Sequence, residues 1–179
     1  DLVFFEKSGG GVTFSGGEPM LQVHFLAETA KLLKERDIHI ALESNLSVPW
    51  SEYEKILPYT DLVMADLKMM DGKEHKKWTG ADNKKILDNI RRLDRTNVPY
   101  DLRTPVVPGV NDSYEDIEEL ARFVSSLKNI RKYELLPFHP MAETKYKNLG
   151  KQHPFHGVKA LDLEKLETYK PVLKKYKIY

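Results

Sequence analysis

The stretch from Gly9 to Gln22 reads GGGVTFSGGEPMLQ, and it places five glycines within nine residues around a short apolar, β-branched run. Gly16 and Gly17 have no Cβ, so the backbone there can turn sharply and present its amide groups to a ligand. Glu18 adds a carboxylate, and Pro19 favours the first turn of a helix. The stretch therefore predicts a strand, a ligand-binding loop and a helix, in that order, although a purely structural turn is the alternative.

The composition is that of one globular domain. The chain has 179 residues, of which 41% are hydrophobic and 31% charged, enough for one substantial core and too few for two. The net charge of +1 gives no reason to expect nucleic acid or an acidic membrane as a partner. No apolar run is long enough to cross a bilayer, so we expect a cytoplasmic location. The chain has no cysteine, which excludes disulfides and thiolate metal sites within these residues, and we assign no metal ligand.

Strand-like and helix-like patterns alternate along the chain. Segments rich in Val, Ile, Leu and aromatic residues predict strands buried on both faces, at 11–16, 38–44, 61–68, 100–107 and 132–139. Their alternation with helices predicts right-handed βαβ units and a parallel sheet, in a single α/β domain over 1–179. The periodicity leaves open whether that sheet is open or rolled toward a barrel. In both cases ligand-binding residues should lie at the carboxyl ends of the strands.

The apolar faces of the first helices follow from residue spacing. The pairs Phe25/Leu26 and Leu32/Leu33 lie seven residues apart and predict one buried stripe. A second apolar face is formed by Ile86, Leu87, Ile90 and Leu93.

Helix boundaries are predicted from capping residues and proline. Ser51 and Glu54 fit a capping box, and Ser113 is the predicted N-cap of a helix over 114–128. Pro171 is expected to kink or end the helical pattern near the carboxyl end of the chain.

Polar side chains follow the predicted strands. Glu43 and Asn45 are two residues apart and share one face of their strand, as do Asp66 and Lys68 of the next. Arg103, on the fourth strand, offers a planar bidentate donor. We expect these side chains to meet near the glycine loop, with a structural salt bridge as the alternative interpretation of the Asp–Lys pair.

Other polar residues are assigned structural places. Asn111 and Asp112 are expected to form a turn that leads into a helix rather than to contact a ligand. His153 and His156 lack the spacing of a zinc pair, and we expect them in a loop.

The segment GGGVTFSGGEPMLQ resembles the S-adenosylmethionine-binding segment of radical SAM enzymes. Within them it is most similar to the glycyl-radical-enzyme activating enzymes, the pyruvate formate-lyase activating enzyme group. The resemblance covers essentially the whole chain and continues in the segments ALESN, MADLK, LRTPVVPGVND and LLPFHPMAETKYKNLG. It implies a partial (β/α) barrel of the radical SAM type with parallel strands, from which the first strand and the cluster loop are missing.

The resemblance also implies roles for particular residues. The implied cofactor-binding residues are Gly16, Gly17, Glu18, Pro19, Glu43, Asn45, Asp66, Lys68 and His139. Lys68 and Arg103 are the implied catalytic residues, with Lys68 facing an anionic group and Arg103 binding either the cofactor carboxylate or the backbone of a substrate loop. His139 is implied to lie beside the adenine. Leu46 stands where the family usually carries a glycine, so the left-handed turn that glycine would permit is not expected here.

The family resemblance implies a reaction and its partners. A reduced [4Fe–4S] cluster, held by three cysteines, cleaves S-adenosylmethionine to a 5′-deoxyadenosyl radical. That radical removes hydrogen from a glycine of a partner glycyl radical enzyme such as pyruvate formate-lyase, with reduced flavodoxin or ferredoxin as electron donor. Because the cysteines are absent, we expect this chain to be a piece that begins after the cluster loop and is inactive alone; a degenerate paralogue is the alternative.

Three other functions stay open. One is a radical SAM enzyme that acts on a small molecule, such as carboxy-deazaguanine synthase, although the GGVTFS and LPFH segments favour the activating enzymes. Another is a non-catalytic module that binds S-adenosylmethionine, a nucleotide or a protein. The third is a phosphate-binding βα-barrel, which Glu18 disfavours because its carboxylate would repel a phosphate.

Overall fold

A computed structural model describes residues 2–148, 150–152 and 154–178, so the predicted loop residue His153 lies outside the described part. His156 lies in a turn, as expected. The strands are β1 (Gly11–Phe14), β2 (His39–Ser44), β3 (Leu62–Asp66), β4 (Tyr100–Val106) and β5 (Ile130–Pro137). The α-helices are α1 (Leu2–Ser8), α2 (Val23–Lys34), α3 (Trp50–Ile56), α4 (Gly72–Thr79), α5 (Lys84–Leu93), α6 (Tyr114–Ser125), α7 (Glu143–Asn148), α8 (Leu163–Glu167) and α9 (Lys170–Lys175). Short 3₁₀ helices cover Pro19–Gln22, Leu57–Tyr59 and Pro140–Ala142.

The strands form one parallel sheet in the order β1-β2-β3-β4-β5. Each crossover moves one place in the same direction, and right-handed crossovers of this kind put the connecting helices on one face of the sheet. A doubly wound sheet would reverse its strand order part-way along the chain. The order is therefore that of a barrel wall, which resolves the alternative that the sequence pattern left open, and the carboxyl ends of β1 to β4 lie side by side.

The predicted strands are found, with ends that differ by about two residues. β1 stops at Phe14 rather than at residue 16, and Gly16 adopts a φ of +133°, a conformation that L residues rarely adopt. Gly11 faces a different constraint, because a Cβ there would lie 1.9 Å from the carbonyl oxygen of His39 on β2. Gly11 therefore allows β1 and β2 to pack closely.

Half of the predicted stripe on α2 was wrong. The buried side chains are Val23, Leu26 and Ala30, whereas Phe25 is 67% exposed and Leu32 55% exposed. Leu33 packs against the same core partly buried, so one residue of each predicted pair is confirmed.

The predicted capping box at Ser51 and Glu54 is also wrong. Helix α3 begins at Trp50 with Pro49 in the N-cap position, and no side chain caps it. Ser51 therefore lies inside the helix. Proline fixes its own φ, so the extended segment ends at Pro49, and Trp50 packs against the core as the first helical residue.

Other helix predictions are confirmed. Ser113 caps α6 in a capping box with Asp116, and the helix ends at Ser125, three residues before the predicted end. The helical pattern near the carboxyl end is interrupted before Pro171: α8 ends at Glu167, α9 starts at Lys170, and Pro171 lies in the first turn of α9. In α5 the side chains of Ile86, Ile90 and Leu93 are buried, and Leu87 packs against the same core.

The core lies between the sheet and these helices. Strands β2 to β5 each contribute buried side chains to it, whereas Phe14 of β1 packs against it partly buried.

Across residues 2–148, 150–152 and 154–178, no helix combines the length and apolar character that a membrane span requires.

Candidate functional site

A network of charged side chains crosses the carboxyl ends of the first four strands. The Glu43 carboxylate accepts a hydrogen bond from Ser15 Oγ at 2.8 Å and another from Arg103 at 2.5 Å. The same Arg103 nitrogen lies 3.4 Å from Asp66, whose other oxygen accepts from Lys68 Nζ at 3.1 Å. Asp66 and Arg103 are direct neighbours in the β3–β4 register, which explains why their side chains meet. The structure therefore brings together the charged residues that the sequence predicted at this edge.

The network has balanced charge, with two carboxylates and two cations. The hydrogen bond from Arg103 has the largest effect on the pKa of Glu43, and that from Ser15 the next largest. Together they hold this pKa below its usual range. Burial by itself lowers the pKa of Arg103, but hydrogen bonding and attraction to Glu43 and Asp66 raise it overall. Arg103 is the most enclosed member, with its side chain 18% exposed, and it stays charged at any physiological pH.

One donor in this network is not used by the chain itself. Among the described residues, Arg103 Nε is the buried side-chain nitrogen or oxygen that has no hydrogen-bond partner. A buried donor without a partner is unfavourable by about 1–3 kcal/mol. This arrangement favours binding of a ligand that brings an acceptor, such as a carboxylate or a peptide carbonyl, to the network.

The glycine loop lies open beside the network. Gly16 and Gly17 are exposed, and a Cβ added at either position would meet no other atom within 4 Å. The space next to this backbone is thus free for a ligand, while the φ of +133° at Gly16 disfavours any other residue type there.

Glu18 acts within the protein as a clamp between two loops. Its carboxylate accepts hydrogen bonds from Met20 N at 3.1 Å, Ser44 Oγ at 2.8 Å and Asn45 N at 2.8 Å. Ser44 in turn is hydrogen-bonded to the buried hydroxyl of Tyr53 at 2.9 Å. Burial raises the pKa of Tyr53, so this hydroxyl stays protonated. Glu18 was predicted as a cofactor-binding residue, and the structure shows its carboxylate joining the glycine loop to the end of β2.

The turn after β2 departs from the sequence expectation. Leu46 adopts the left-handed conformation with a φ of +55°, although it is not a glycine. Its side chain is fully buried, its N–H donates to Ser44 Oγ at 3.1 Å, and its carbonyl accepts from Asn89 at 2.9 Å. The expectation that leucine would prevent this turn was therefore wrong, because packing and hydrogen bonds hold the residue there. Asn45 caps the same turn by accepting from Ser47 N at 2.9 Å.

A cavity of about 150 Å³ opens beside the network. Its lining includes three predicted cofactor-binding residues, Asn45, Asp66 and Lys68, together with side chains of α4 and the loop after it. Asn111 supports this region by donating to the carbonyl of Lys68 at 2.6 Å and accepting from Val107 N at 2.7 Å. Asn111 thus forms the expected turn and also fixes the backbone of Lys68.

Two predicted site residues lie apart from this network. Pro19 begins the 3₁₀ helix that follows the glycine loop, as its position predicted. His139 follows β5, and its side chain is exposed.

Five residues of the site were not predicted from the sequence: Ser15, Ser44, Tyr53, His75 and Asn89. Only Ser44 could have been predicted from its neighbours in the sequence, because it lies between the predicted site residues Glu43 and Asn45.

The fold and the site define a class of protein: a parallel βα-barrel wall with a charged ligand site at the carboxyl ends of its strands. Comparison with known families is consistent with this class, since the model of the radical SAM superfamily matches residues 2–124. The chain is 43% identical over 161 residues to the (2S)-3-sulfopropanediol dehydratase activating enzyme of Klebsiella oxytoca, covering 89% of this chain and 51% of that protein. It is 37% identical over 171 residues to the pyruvate formate-lyase-activating enzyme of Clostridium pasteurianum, covering 96% of this chain and 71% of that protein.

A solved structure is similar over nearly its whole length. The crystal structure of a domain of pyruvate-formate lyase-activating enzyme from Bacteroides vulgatus has a TM-score of 0.78 and 29% identity, with 94% of this chain and 96% of that one covered. The chain therefore belongs to the radical SAM superfamily and, within it, to the glycyl-radical-enzyme activating enzymes. It spans about half the length of the Klebsiella relative and about seven tenths of the clostridial one.

Proposed function

We propose that this chain, as one partial-barrel domain over residues 1–179, carries the S-adenosylmethionine-binding part of an enzyme that activates a glycyl radical enzyme. The observation that carries the proposal is the network of Glu43, Asp66, Lys68 and Arg103 at the strand ends, with its unused Arg103 donor. The relatives described above favour an activating enzyme over a radical SAM enzyme that acts on small molecules.

The residues present fit S-adenosylmethionine. The open backbone of Gly16 and Gly17 would receive its amino group, and Lys68 and Arg103 would pair with its carboxylate. Glu18 positions the loop. His139 would lie near the adenine. When bound beside a reduced [4Fe–4S] cluster, this cofactor supplies hydrogen-atom abstraction from a substrate glycine.

The residues present do not fit the cluster. The sequence contains no cysteine, and the described residues hold no group of three or more His, Asp or Glu side chains that could bind a metal ion. Its ligands would have to come from outside these 179 residues. We therefore assign this chain the binding and positioning of the cofactor, and expect no turnover from it alone.

The partners follow from the proposed activity. A glycyl radical enzyme such as pyruvate formate-lyase would present a glycine-bearing loop, and Arg103 could bind its peptide carbonyls if the cofactor carboxylate is held by Lys68. Reduced flavodoxin or ferredoxin would supply the electron, and a cytoplasmic location is part of this proposal. No nucleic acid or membrane takes part in this proposal.

Calorimetric titration of the 179-residue chain with S-adenosylmethionine tests the cofactor assignment. We expect saturable binding that weakens about tenfold or more in Arg103→Met, since a charge-assisted hydrogen bond contributes about 1.5–3 kcal/mol. Arg122→Met is the matched control, because Arg122 is exposed on α6 and distant in the fold from the strand ends. Absence of saturable binding, or equal loss in both variants, would contradict the proposal.

A further inference from the structure

A buried histidine outside the family segments lines the same cavity as the predicted cofactor residues. His75 lies on α4 and is 4% exposed. Its ring borders the cavity of about 150 Å³ that also contacts Asn45, Asp66, Lys68 and Asp82. Helix α4 lies outside the sequence segments that carry the family resemblance, so only the fold shows that His75 lies beside these residues.

The tautomer of His75 is fixed by its surroundings. Nδ1 lies 2.6 Å from the carbonyl oxygen of Ala81, and a carbonyl oxygen can only accept a hydrogen bond. Nδ1 therefore carries the hydrogen, and in the neutral ring Nε2 is an acceptor. The Thr79 hydroxyl, which donates to the carbonyl of His75 at 2.8 Å, holds the same turn of the helix.

The second ring nitrogen has no partner within the part of the chain that the structure describes, although most of the ring is buried. This nitrogen is not fully enclosed, since Arg103 Nε is the fully buried atom without a partner among the described residues, so a donor on a ligand can reach it. The nearby acidic groups, Asp66 and Asp82, cannot donate when ionised, and the ammonium group of Lys68 is hydrogen-bonded to Asp66 rather than to the ring. An anion brings no hydrogen-bond donor, so it does not meet this need, whereas a hydroxyl group does.

The size and polarity of the cavity suit a sugar ring. A volume of about 150 Å³ accepts a single five- or six-membered ring, as an engineered cavity of that volume accepts benzene. The lining combines apolar surface with polar groups such as Asn45, Asp66 and His75, and this combination suits a ribose, whose ring carbons are apolar and whose hydroxyls form hydrogen bonds. We propose, building on the function proposed above, that His75 Nε2 accepts a hydrogen bond from a ribose hydroxyl of S-adenosylmethionine. His75 is then a cofactor-binding residue that sets preference for an intact ribose.

The variant His75→Asn tests this role with little change to the fold. Asparagine can keep the hydrogen bond to the Ala81 carbonyl, because its amide nitrogen replaces Nδ1, but it has no acceptor at the position of Nε2. We expect its dissociation constant for S-adenosylmethionine to rise about three- to tenfold, the range of one neutral hydrogen bond. His24→Asn, at an exposed position on α2, is the matched control and should bind like the wild type.

Ligand analogues separate a direct contact from a loss of structure. The 2′-deoxy and 3′-deoxy forms of S-adenosylmethionine should each be titrated into the wild type and His75→Asn. The analogue that lacks the contacted hydroxyl should bind both proteins equally, whereas the other should keep the difference. Equal loss for all three ligands would indicate a structural effect and overturn the inference.

Nitrogen NMR of the wild-type chain gives a readout that does not depend on a variant folding. The Nε2 resonance of His75 should shift when S-adenosylmethionine is added. An unshifted resonance, with binding shown by calorimetry, would overturn the role of His75 and leave the proposed function intact. No binding at all by the wild type would instead contradict the proposed function and, with it, this inference.

Discussion

Leu46 shows how the site stores backbone strain in one residue. A left-handed conformation is unfavourable for a non-glycine residue by about 1–2 kcal/mol. Here it is held by a fully buried side chain and by hydrogen bonds to Ser44 and Asn89. Since Ser44 and the Asn45 N–H both bind Glu18, the strained turn helps to fix the clamp beside the glycine loop.

Substitution of Leu46 should separate packing from strain. Leu46→Ala removes the buried side chain and keeps the strain, so we expect a loss of about 2–5 kcal/mol in the free energy of unfolding. Leu46→Gly removes both and should be more stable than the alanine variant by about 1 kcal/mol. Urea unfolding of the two variants measures the difference. Where φ is negative, an alanine variant is usually more stable than a glycine variant. That order at position 46 would show that the turn is not left-handed in solution.

Single residues also show what a sequence can predict about a site. Glu43, Asp66, Lys68 and Arg103 could be placed together, because the first three lie at the ends of recognisable strands and Arg103 lies on the next strand along the chain. Ser15 could not, since its partner Glu43 lies 28 residues away and no local pattern links a serine to a carboxylate at that distance. The strained turn at Leu46 was missed for a related reason, because its support from Asn89 comes from 43 residues further along the chain.

At the scale of elements, α6 is the helix whose beginning is determined most locally. Ser113 Oγ accepts from Asp116 N at 3.1 Å, and the Asp116 carboxylate accepts from Ser113 N at 3.4 Å, which satisfies two donors at the start of the helix. These contacts span three residues, so the sequence was sufficient to predict them. The start of α3 was not predictable in this way, because there a proline and the packing of Trp50 decide the boundary.

Removal of the cap tests how much α6 depends on it. Ser113→Ala should lower the free energy of unfolding by about 1 kcal/mol, because the first turn loses its side-chain acceptor. Ser125→Ala, at the exposed end of the same helix, should change it by less than about 0.5 kcal/mol. Both values come from urea unfolding curves monitored by circular dichroism. Equal effects of the two substitutions would mean that the capping box contributes nothing specific.

At the scale of the whole molecule, the residue patterns alone left the strand order open, and only the family resemblance implied a partial barrel. Continuous apolar strands predict a parallel sheet, but the direction of each crossover depends on how helices and strands pack. Contacts distant in sequence fix these choices. Asp94, just after α5, accepts from the Tyr100 hydroxyl at 2.6 Å and from Lys128 N and Asn129 N at 3.0 and 2.8 Å. One carboxylate thus joins the end of α5, the start of β4 and the loop before β5.

The Asp94 junction should make stability depend on pH in the acid range. Burial alone would raise the pKa of Asp94, but hydrogen bonds from Tyr100, Asn129 and Lys128 together hold it below its usual value. An aspartate whose folded-state pKa is lowered stabilises the fold above the unfolded-state value of about 4. This contribution is lost as the pH falls through the lower, folded-state value.

Asp94→Asn should therefore destabilise the protein by about 1–2 kcal/mol at pH 7, since the junction loses a charged acceptor that is partly exposed. The difference from the wild type should shrink as the pH falls below about 4, because the wild-type carboxyl then becomes protonated as well. Asp88→Asn is the matched control: Asp88 lies on the exposed face of α5 in a weak pair with Arg91 and should have an effect below about 0.5 kcal/mol. Denaturant unfolding at a series of pH values measures both. A difference that stays constant from pH 7 to pH 3 would mean that the charge of Asp94 does not hold the three elements together.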